Sequence, residues 1–403
     1  MSAPGEQDEV AGRRPGDARS RLSGLLSLDS EELQALRRGP QQLGGAAHRN
    51  TRRHNLSVIR RLLFGKGPQT RPELARLSGL SLPTVGALVA ELIESGLVHD
   101  AGIVAESRVG KPASRVALDT TGNVSIALNL TQPDRFIGAV VDLDGAVVER
   151  AELGIEGLYE DAALERVVEL VELLLQRTTA RVVGIGVASP GLVDESGQVR
   201  FGDRLRWQEM PLAEELRART GIPAAVGNDV NLLALGLGRF RNGSGRDAIV
   251  IALDNGVGGA VLEGGDPVLG EQFAAGEIGH ITVDPGGELC RCGDRGCLDM
   301  VVGAPHLQRR LDTEGESALE PAGRILGETI APIAIMLNIN VVVVVGPEQL
   351  VAEPFAAGVV DGIRSRVRPP VFDGMRIEVE PNDPDFELLG AASLIMESEL
   401  GVF

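Results

Sequence analysis

Residues Gly276–Asp299 read GEIGHITVDPGGELCRCGDRGCLD and contain all three cysteines of the 403-residue chain. Cys290, Cys292 and Cys297 fall within eight residues, and His280 precedes the first by ten. Three thiolates and one imidazole form the closed tetrahedral set that a structural zinc prefers, so the spacing predicts one zinc per chain. Gly293 and Gly296 allow the backbone to fold back tightly enough for the sulfurs to converge. Glu277, three residues before His280, would then have its direction set by the metal. The alternative is three free thiols and an unrelated histidine in a reducing compartment.

The pattern Gly-Glu-x-Gly-His, nine residues, then Cys-x-Cys-Gly-x-x-Gly-Cys-Leu resembles the zinc signature of the ROK family (repressor, open reading frame, kinase). That family comprises sugar kinases and sugar-responsive transcription factors. The resemblance runs from about Arg49 to the end and is nearest to repressors of the xylose and N-acetylglucosamine type. It implies an α/β, actin-like (ribonuclease H-like), two-lobed sugar-kinase-type body with an N-terminal winged helix-turn-helix domain.

Composition agrees with a multi-unit chain. With 403 residues, two or three compact units are expected. Hydrophobic residues make up 43% but aromatics only 3%, so the cores must be built from Val, Leu, Ala and Ile. No signal peptide and no run of about 18 apolar residues is visible, which predicts a soluble, cytoplasmic protein without membrane contact. The net charge of -18 is unevenly placed. Residues 49–118 hold 11 of the 39 basic and 5 of the 57 acidic groups, leaving 28 and 52 elsewhere. A basic module on an acidic remainder is the asymmetry of a DNA-binding head.

Residues 1–48, rich in Gly, Pro, Arg, Glu and Gln, read as a disordered tail, with Leu22–Leu36 able to form a transient amphipathic helix. Within 49–118, Leu56, Ile59, Leu62 and Leu63 recur at helical spacing. Thr70 and Glu73 form a capping box for a second helix. Ser78-Gly79-Leu80 is a tight turn, and Ser81 caps a third helix with Val85, Leu88, Val89, Leu92 and Ile93 inward. A hairpin follows, Leu97–His99 and Ser114–Leu118, with Arg108 and Lys111 at its tip. If the third helix enters the major groove by its N-terminus, Pro83, Thr84 and Ala87 face base edges. Arg108 and Lys111 then reach phosphates or the minor groove, and Arg52, Arg53, Arg60 and Arg61 add sequence-independent affinity. Gly86 and Ala87 stand where the family carries Ser and a polar or basic residue. A protein-interaction winged helix is the alternative.

Residues 119–403 form the body, with lobe one at about 119–227 plus 385–403 and lobe two at about 228–384. The resemblance implies that Asn228 and Asp229 hold sugar hydroxyls, together with Glu277, His280 and Asp299; the family has Glu at the last position. Read alone, Asp229 is equally a helix N-cap for Val230–Phe240. Ser189-Pro190-Gly191 matches the turn at the cleft, and Trp207 reads as core. The nucleotide elements depart from the family. Asn129-Leu130-Thr131-Gln132-Pro133 replaces an Asp-x-Gly-Gly-Thr turn, Asp254 places a negative charge in the second phosphate turn, and Gly346-Pro347 replaces Gly-Gly.

The expectation is therefore a regulator, not an enzyme. It would bind operator DNA and a small sugar effector as a homodimer or homotetramer and would control carbohydrate metabolism genes such as those for xylose. A sugar kinase with an appended DNA-binding head is the alternative, and a scaffold answering to a protein partner is a third reading.

Overall fold

The computed structural model describes residues 44–103, 114–240, 246–383 and 385–403, with side chains from Thr51 onward. The expected tail helix at Leu22–Leu36, and Arg108 and Lys111 of the hairpin tip, lie outside the described residues. Residues Leu56–Phe403 form one compact unit.

The first helix, α1 (Gly44–Lys66), starts inside the stretch read as tail. No proline interrupts Gly44–Lys66, so the helix propagates upstream of position 49. Strand β1 (Gln69–Thr70) leads into α2 (Arg71–Ser78). The capping box forms: Thr70 N donates to Glu73 Oε2 at 2.7 Å and Glu73 N to Thr70 Oγ1 at 3.3 Å. Gly79 takes φ 72°, and the chain swings by 115° into α3 (Leu82–Glu94), the crossing of a helix-turn-helix. Val85, Leu88, Val89 and Leu92 are buried beneath α3. Strands β2 (Val98–Ile103) and β3 (Ser114–Leu118) pair antiparallel, and β3 also pairs with β1.

The body contains one topology twice. Strands β4 (Asn123–Asn129), β5 (Arg135–Asp142) and β6 (Val147–Gly154) form an antiparallel meander. Helix α4 (Glu160–Arg177) crosses over to β7 (Arg181–Ser189), which lies parallel to β4. A small sheet of β8 (Leu192–Val193), β9 (Val199–Gly202) and β10 (Trp207–Met210) intervenes. After α5 (Leu212–Thr220) comes β11 (Ala224–Asn228), parallel to β7. The sheet order is β11-β7-β4-β5-β6. Following α6 (Asp229–Phe240), the second sheet is β14-β13-β12-β15-β16. It is built from β12 (Ala248–Leu253), β13 (Val257–Glu263), β14 (Asp266–Pro267), β15 (Val341–Gly346) and β16 (Arg376–Pro381). In both sheets three antiparallel strands are extended by two parallel ones in the same order, which is the actin-like duplication.

Helices α7 (Leu298–Val302), α8 (Ala304–Glu314), α9 (Leu319–Leu337), α10 (Glu353–Arg366) and α11 (Pro369–Phe372) belong to the second half, and α12 (Phe386–Leu400) ends the chain. Side-chain alternation distributes the strands between cores. Ile249, Ile251, Val342 and Val344 pack with α9 and α10, whereas Val250, Ala252, Val343 and Val345 join the core shared by α6 and α12. Trp207 is buried as expected, its indole N–H donating to the Glu160 carbonyl at 3.0 Å.

Helices α6 and α12 cross with their backbones nearly in contact. A Cβ at Gly390 would collide with the Leu232 carbonyl, and one at Gly236 with the Phe386 carbonyl. At the far end, Phe403 packs edge-to-face against Phe64 of α1 at 4.9 Å, beneath the Arg239 guanidinium at 4.3 Å. Arg61 donates to Gly401 O and Glu397 Oε1, both at 3.0 Å, and Arg60 to Glu399 O at 3.4 Å. These two arginines, read as phosphate contacts, are taken up by the chain end.

Gly390→Ala is expected to lower stability by about 2–3 kcal/mol through overpacking at the crossing, read by urea unfolding. An unchanged midpoint would mean that the helices separate freely.

Candidate functional site

The cleft residues are set by β11 and α6. Asn228 ends β11 and caps α6: its Oδ1 accepts from Asn231 N at 3.1 Å. Its Nδ2 donates to Gly191 O at 3.0 Å and to Asp229 Oδ1 at 2.9 Å. The cap role weighed for Asp229 thus belongs to its neighbour. Asp229 Oδ1 accepts from Asn228 Nδ2 and from Val230 N. Burial pushes the Asp229 carboxyl up to about 6, reinforced by the charges of Asp254 and Glu277. Asp229 and Glu277 therefore share one electrostatic environment.

Asp299 is placed differently from its neighbours. It is buried, and its Oδ1 accepts from Val257 N at 2.7 Å, holding the turn between β12 and β13. A Cβ at Gly279 would collide with the same oxygen. This carboxylate ties the Gly276–His280 segment to the Asp254–Val257 turn.

The three sulfurs and the imidazole converge. Ligand atoms of His280, Cys290, Cys292 and Cys297 all lie within 4.8 Å of one another. His280 Nδ1 is 3.6 Å from Cys290 Sγ, and Cys292 Sγ is 3.6 Å from Cys297 Sγ. Ligand bonds of about 2.0–2.3 Å in a tetrahedron give edges close to these separations, so the residues fit a metal. The local hairpin explains the convergence. Cys290 N donates to Asp294 O at 2.7 Å, and Gly293 and Gly296 adopt φ 99° and 63°. Any side chain at Gly296 would strike the Asp284 carbonyl. Burial and the two neighbouring thiols push Cys297 up to about 12, so without a cation its sulfur keeps its proton.

Two groups in this region carry no motif and were not read from the sequence. Glu387, in the first turn of α12, is buried, with Oε2 unpartnered among the described residues. Burial raises it to about 8, helped by Asp229, Asp254 and Asp383. Arg204, between β9 and β10, has a buried Nη2 that is likewise unpartnered. For Glu387 the usable signal was a charge at the head of an apolar helix, residues 386–396, whereas Arg204 lies among other charges and nothing in the sequence marks it.

On the head, Pro83 and Ala87 are exposed on α3, joined by Leu82 and Ala90. Thr84 is half-buried, its hydroxyl 2.8 Å from the Ser81 hydroxyl and its N–H donating to the same Ser81 cap. The outward face of α3 is therefore small and apolar, as the Gly86-Ala87 departure suggested.

Glu387 and Asp229 both have raised pKa values, so from about pH 4 to about pH 8 the folded chain keeps protons that the unfolded chain has released. Stability therefore falls as pH rises through that window. Glu387→Gln is expected to melt higher than the parent at pH 8 and close to it at pH 4.5. Parallel pH profiles of the two melting points would show that Glu387 titrates normally.

Among known proteins, the DNA-binding transcriptional dual regulator NagC of Escherichia coli K12 is 27% identical over 327 residues. That match covers 72% of this chain and 80% of NagC. A glucokinase of Thermotoga maritima is 36% identical over 181 residues, covering 44% of this chain and 56% of the enzyme. The crystal structure of a ROK family transcriptional regulator, a homologue of the E. coli Mlc protein, superimposes with a TM-score of 0.77 at 22% identity. It covers 87% of this chain and 98% of the other. With the ROK family matching residues 133–397 and the regulator fold extending over most of the remainder, the chain belongs to the ROK family.

Proposed function

We propose that this chain is a sugar-responsive transcriptional regulator, most simply a repressor, that binds operator DNA through α3 and a sugar in the cleft at Asn228, Asp229 and Glu277. The observation that carries this reading is one compact unit joining a helix-turn-helix head to a cleft whose phosphate-binding groups are already occupied. Leu130 N donates to Ala188 O, Thr131 N to Asn129 Oδ1, Val257 N to Asp299 Oδ1 and Gly259 N to Gly276 O. Pro133 has no N–H to offer. Few donors remain in these turns for nucleotide phosphates, which supports a non-enzymatic role.

The head reads DNA by an apolar surface, since Leu82, Pro83, Ala87 and Ala90 suit thymine methyl groups better than hydrogen-bonded base edges. Phosphate contacts then fall to Arg52, Arg53 and the hairpin residues Arg108 and Lys111. Two heads on a two-fold operator favour a homodimer or a dimer of dimers. The protein would act in the cytoplasm, where its targets and effector lie.

Zinc in the His280, Cys290, Cys292, Cys297 set would supply a rigid, charge-neutralising cross-link. It would hold the segment carrying Glu277 against the cleft. Asp299, tied to the β12–β13 turn, supports that segment from below, and its assignment as a direct sugar contact is carried only by family resemblance.

A sugar kinase with an added head is the second reading. It is favoured by Asp229, whose carboxyl lies close to the neutral range that suits a general base. ADP release on hexoses or pentoses that disappears in Asp229→Asn would establish it.

Fluorescence anisotropy on upstream DNA, with and without xylose, glucose and N-acetylglucosamine, tests the regulator reading. One sugar is expected to shift the DNA affinity at least about tenfold, as typical allosteric couplings do, and Asp229→Asn to bind DNA without that response. Binding that no sugar alters would refute the effector role of the cleft. Separately, Cys292→Ser is expected to lower zinc content and abolish the sugar response, as read by metal analysis and anisotropy. A full complement of zinc in that variant would remove Cys292 from the ligand set.

A further inference from the structure

The His280–cysteine cluster is unevenly covered. Cys290 is 3% exposed and Cys297 is fully buried, whereas Cys292 is exposed near the tip of its hairpin. Gly293, beside Cys292, has φ 99° and open space where a side chain would stand. A soluble oxidant therefore meets Cys292 before the other two sulfurs. Cys292 Sγ lies 3.6 Å from Cys297 Sγ, while Cys290 Sγ lies 3.6 Å from His280 Nδ1. A disulfide bond is about 2.05 Å long, so joining Cys292 to Cys297 requires an approach of about 1.5 Å. The open space at Gly293 leaves room for it.

The backbone around the cluster does not depend on the sulfurs. Val283 N and Asp284 N donate to Gly296 O at 2.8 and 3.0 Å, Leu298 N to Ile281 O at 2.9 Å and Gly296 N to Glu288 O at 2.8 Å. His280 differs. It closes the single 3-10 turn Ile278–His280, which Glu277 heads, and its ring joins that turn to the sulfurs of the hairpin. A change at the sulfurs is therefore felt at Glu277 before it is felt by the fold.

We propose that Cys292 and Cys297 form a redox switch: a peroxide converts them to a disulfide, which dismantles the ligand set and cuts the sugar signal to the head. The proposal rests on the cleft being the effector site and on the cluster holding zinc. The Cys292 thiolate attacks one oxygen of hydrogen peroxide; an S–O bond forms, the O–O bond breaks and hydroxide leaves. The Cys297 thiolate then attacks the Cys292 sulfur, forming S–S and expelling the second hydroxide. Two protons from solvent turn both hydroxides into water, and the two electrons lost by the sulfurs reduce the peroxide. Thiolate, not disulfide, is the metal ligand. Cys290 and His280 remain, two donors where a closed structural site needs four. A transient disulfide of this kind is how cysteines serve sensing in a reducing compartment.

Hydrogen peroxide on the zinc-loaded, full-length protein tests this, with a chromogenic chelator following zinc and peptide mass mapping following sulfur. Release of about one zinc per chain is expected, in step with a Cys292–Cys297 link, and dithiothreitol plus zinc is expected to reverse both. In anisotropy, the oxidised protein is expected to bind upstream DNA within about twofold of the parent, while the sugar-induced shift of about tenfold disappears. Three intact thiols under excess peroxide, a link through Cys290, a link between chains, or zinc retained once the link has formed would each overturn the proposal. So would loss of DNA binding by the oxidised form, which would mean general unfolding. A zinc-stripped sample oxidised in parallel is expected to form the same link. If the purified chain holds no zinc, the metal reading fails, and this second sample alone decides the sulfur pair. If no sugar shifts the DNA affinity of the reduced parent, the effector reading fails, and the switch then stands or falls on zinc release and the mapped link.

Discussion

The near-contact crossing of α6 and α12 is the constraint on which the other features depend. Gly236 and Gly390 allow the two backbones to meet where any Cβ would collide with a carbonyl. Helix α6 starts at the cleft with Asn228 as its cap and Asp229 in its first turn. It ends at Arg239 and Phe240, which grip Phe403 from above and beside. Phe403 in turn packs on Phe64 of the head helix. Site, interlobe core and head are thus joined by one helix pair, and a rigid pair transmits displacement better than a compliant loop. The proposed effector response has a short physical route through it.

Electrostatics sets the character of the cleft. Carboxylates are costly to bury, and burial raises Asp229 and Glu387 in the same region as the exposed Asp254, whose charge adds to both shifts. Such a concentration of acids would repel nucleotide phosphates, in keeping with the proposed function. It suits hydroxyl groups, which donate to carboxylates. The hydrogen bonds that close the Asn129–Thr131 and Asp254–Val257 turns agree with that shift in chemistry. The His280–cysteine cluster and Asp299 lie against the Gly276–His280 segment that carries Glu277.

Local chemistry was legible in the chain itself. The Cys-x-Cys-Gly-x-x-Gly-Cys spacing, the Thr70–Glu73 box, the Gly79 turn and the alternating strands depend on neighbours within a few residues, and contacts of that range repeat wherever the pattern does. The convergence of His280 with the three cysteines and the helix-turn-helix are therefore determined by sequence alone, as is the scarcity of polar groups on the outward face of α3. Only the tertiary structure decided roles that depend on distant partners. Asn228 rather than Asp229 caps α6 because its side chain also meets Gly191, 37 residues away. Asp299 Oδ1 is bound by Val257 N, 42 residues away, while its Oδ2 faces Arg291, and Arg60 and Arg61 hydrogen-bond to residues 397–401. Arg204 and Glu387 gain their significance from burial beside acids brought in by other strands. Burial and long-range charge are properties of the packed chain, and no spacing along the sequence encodes them.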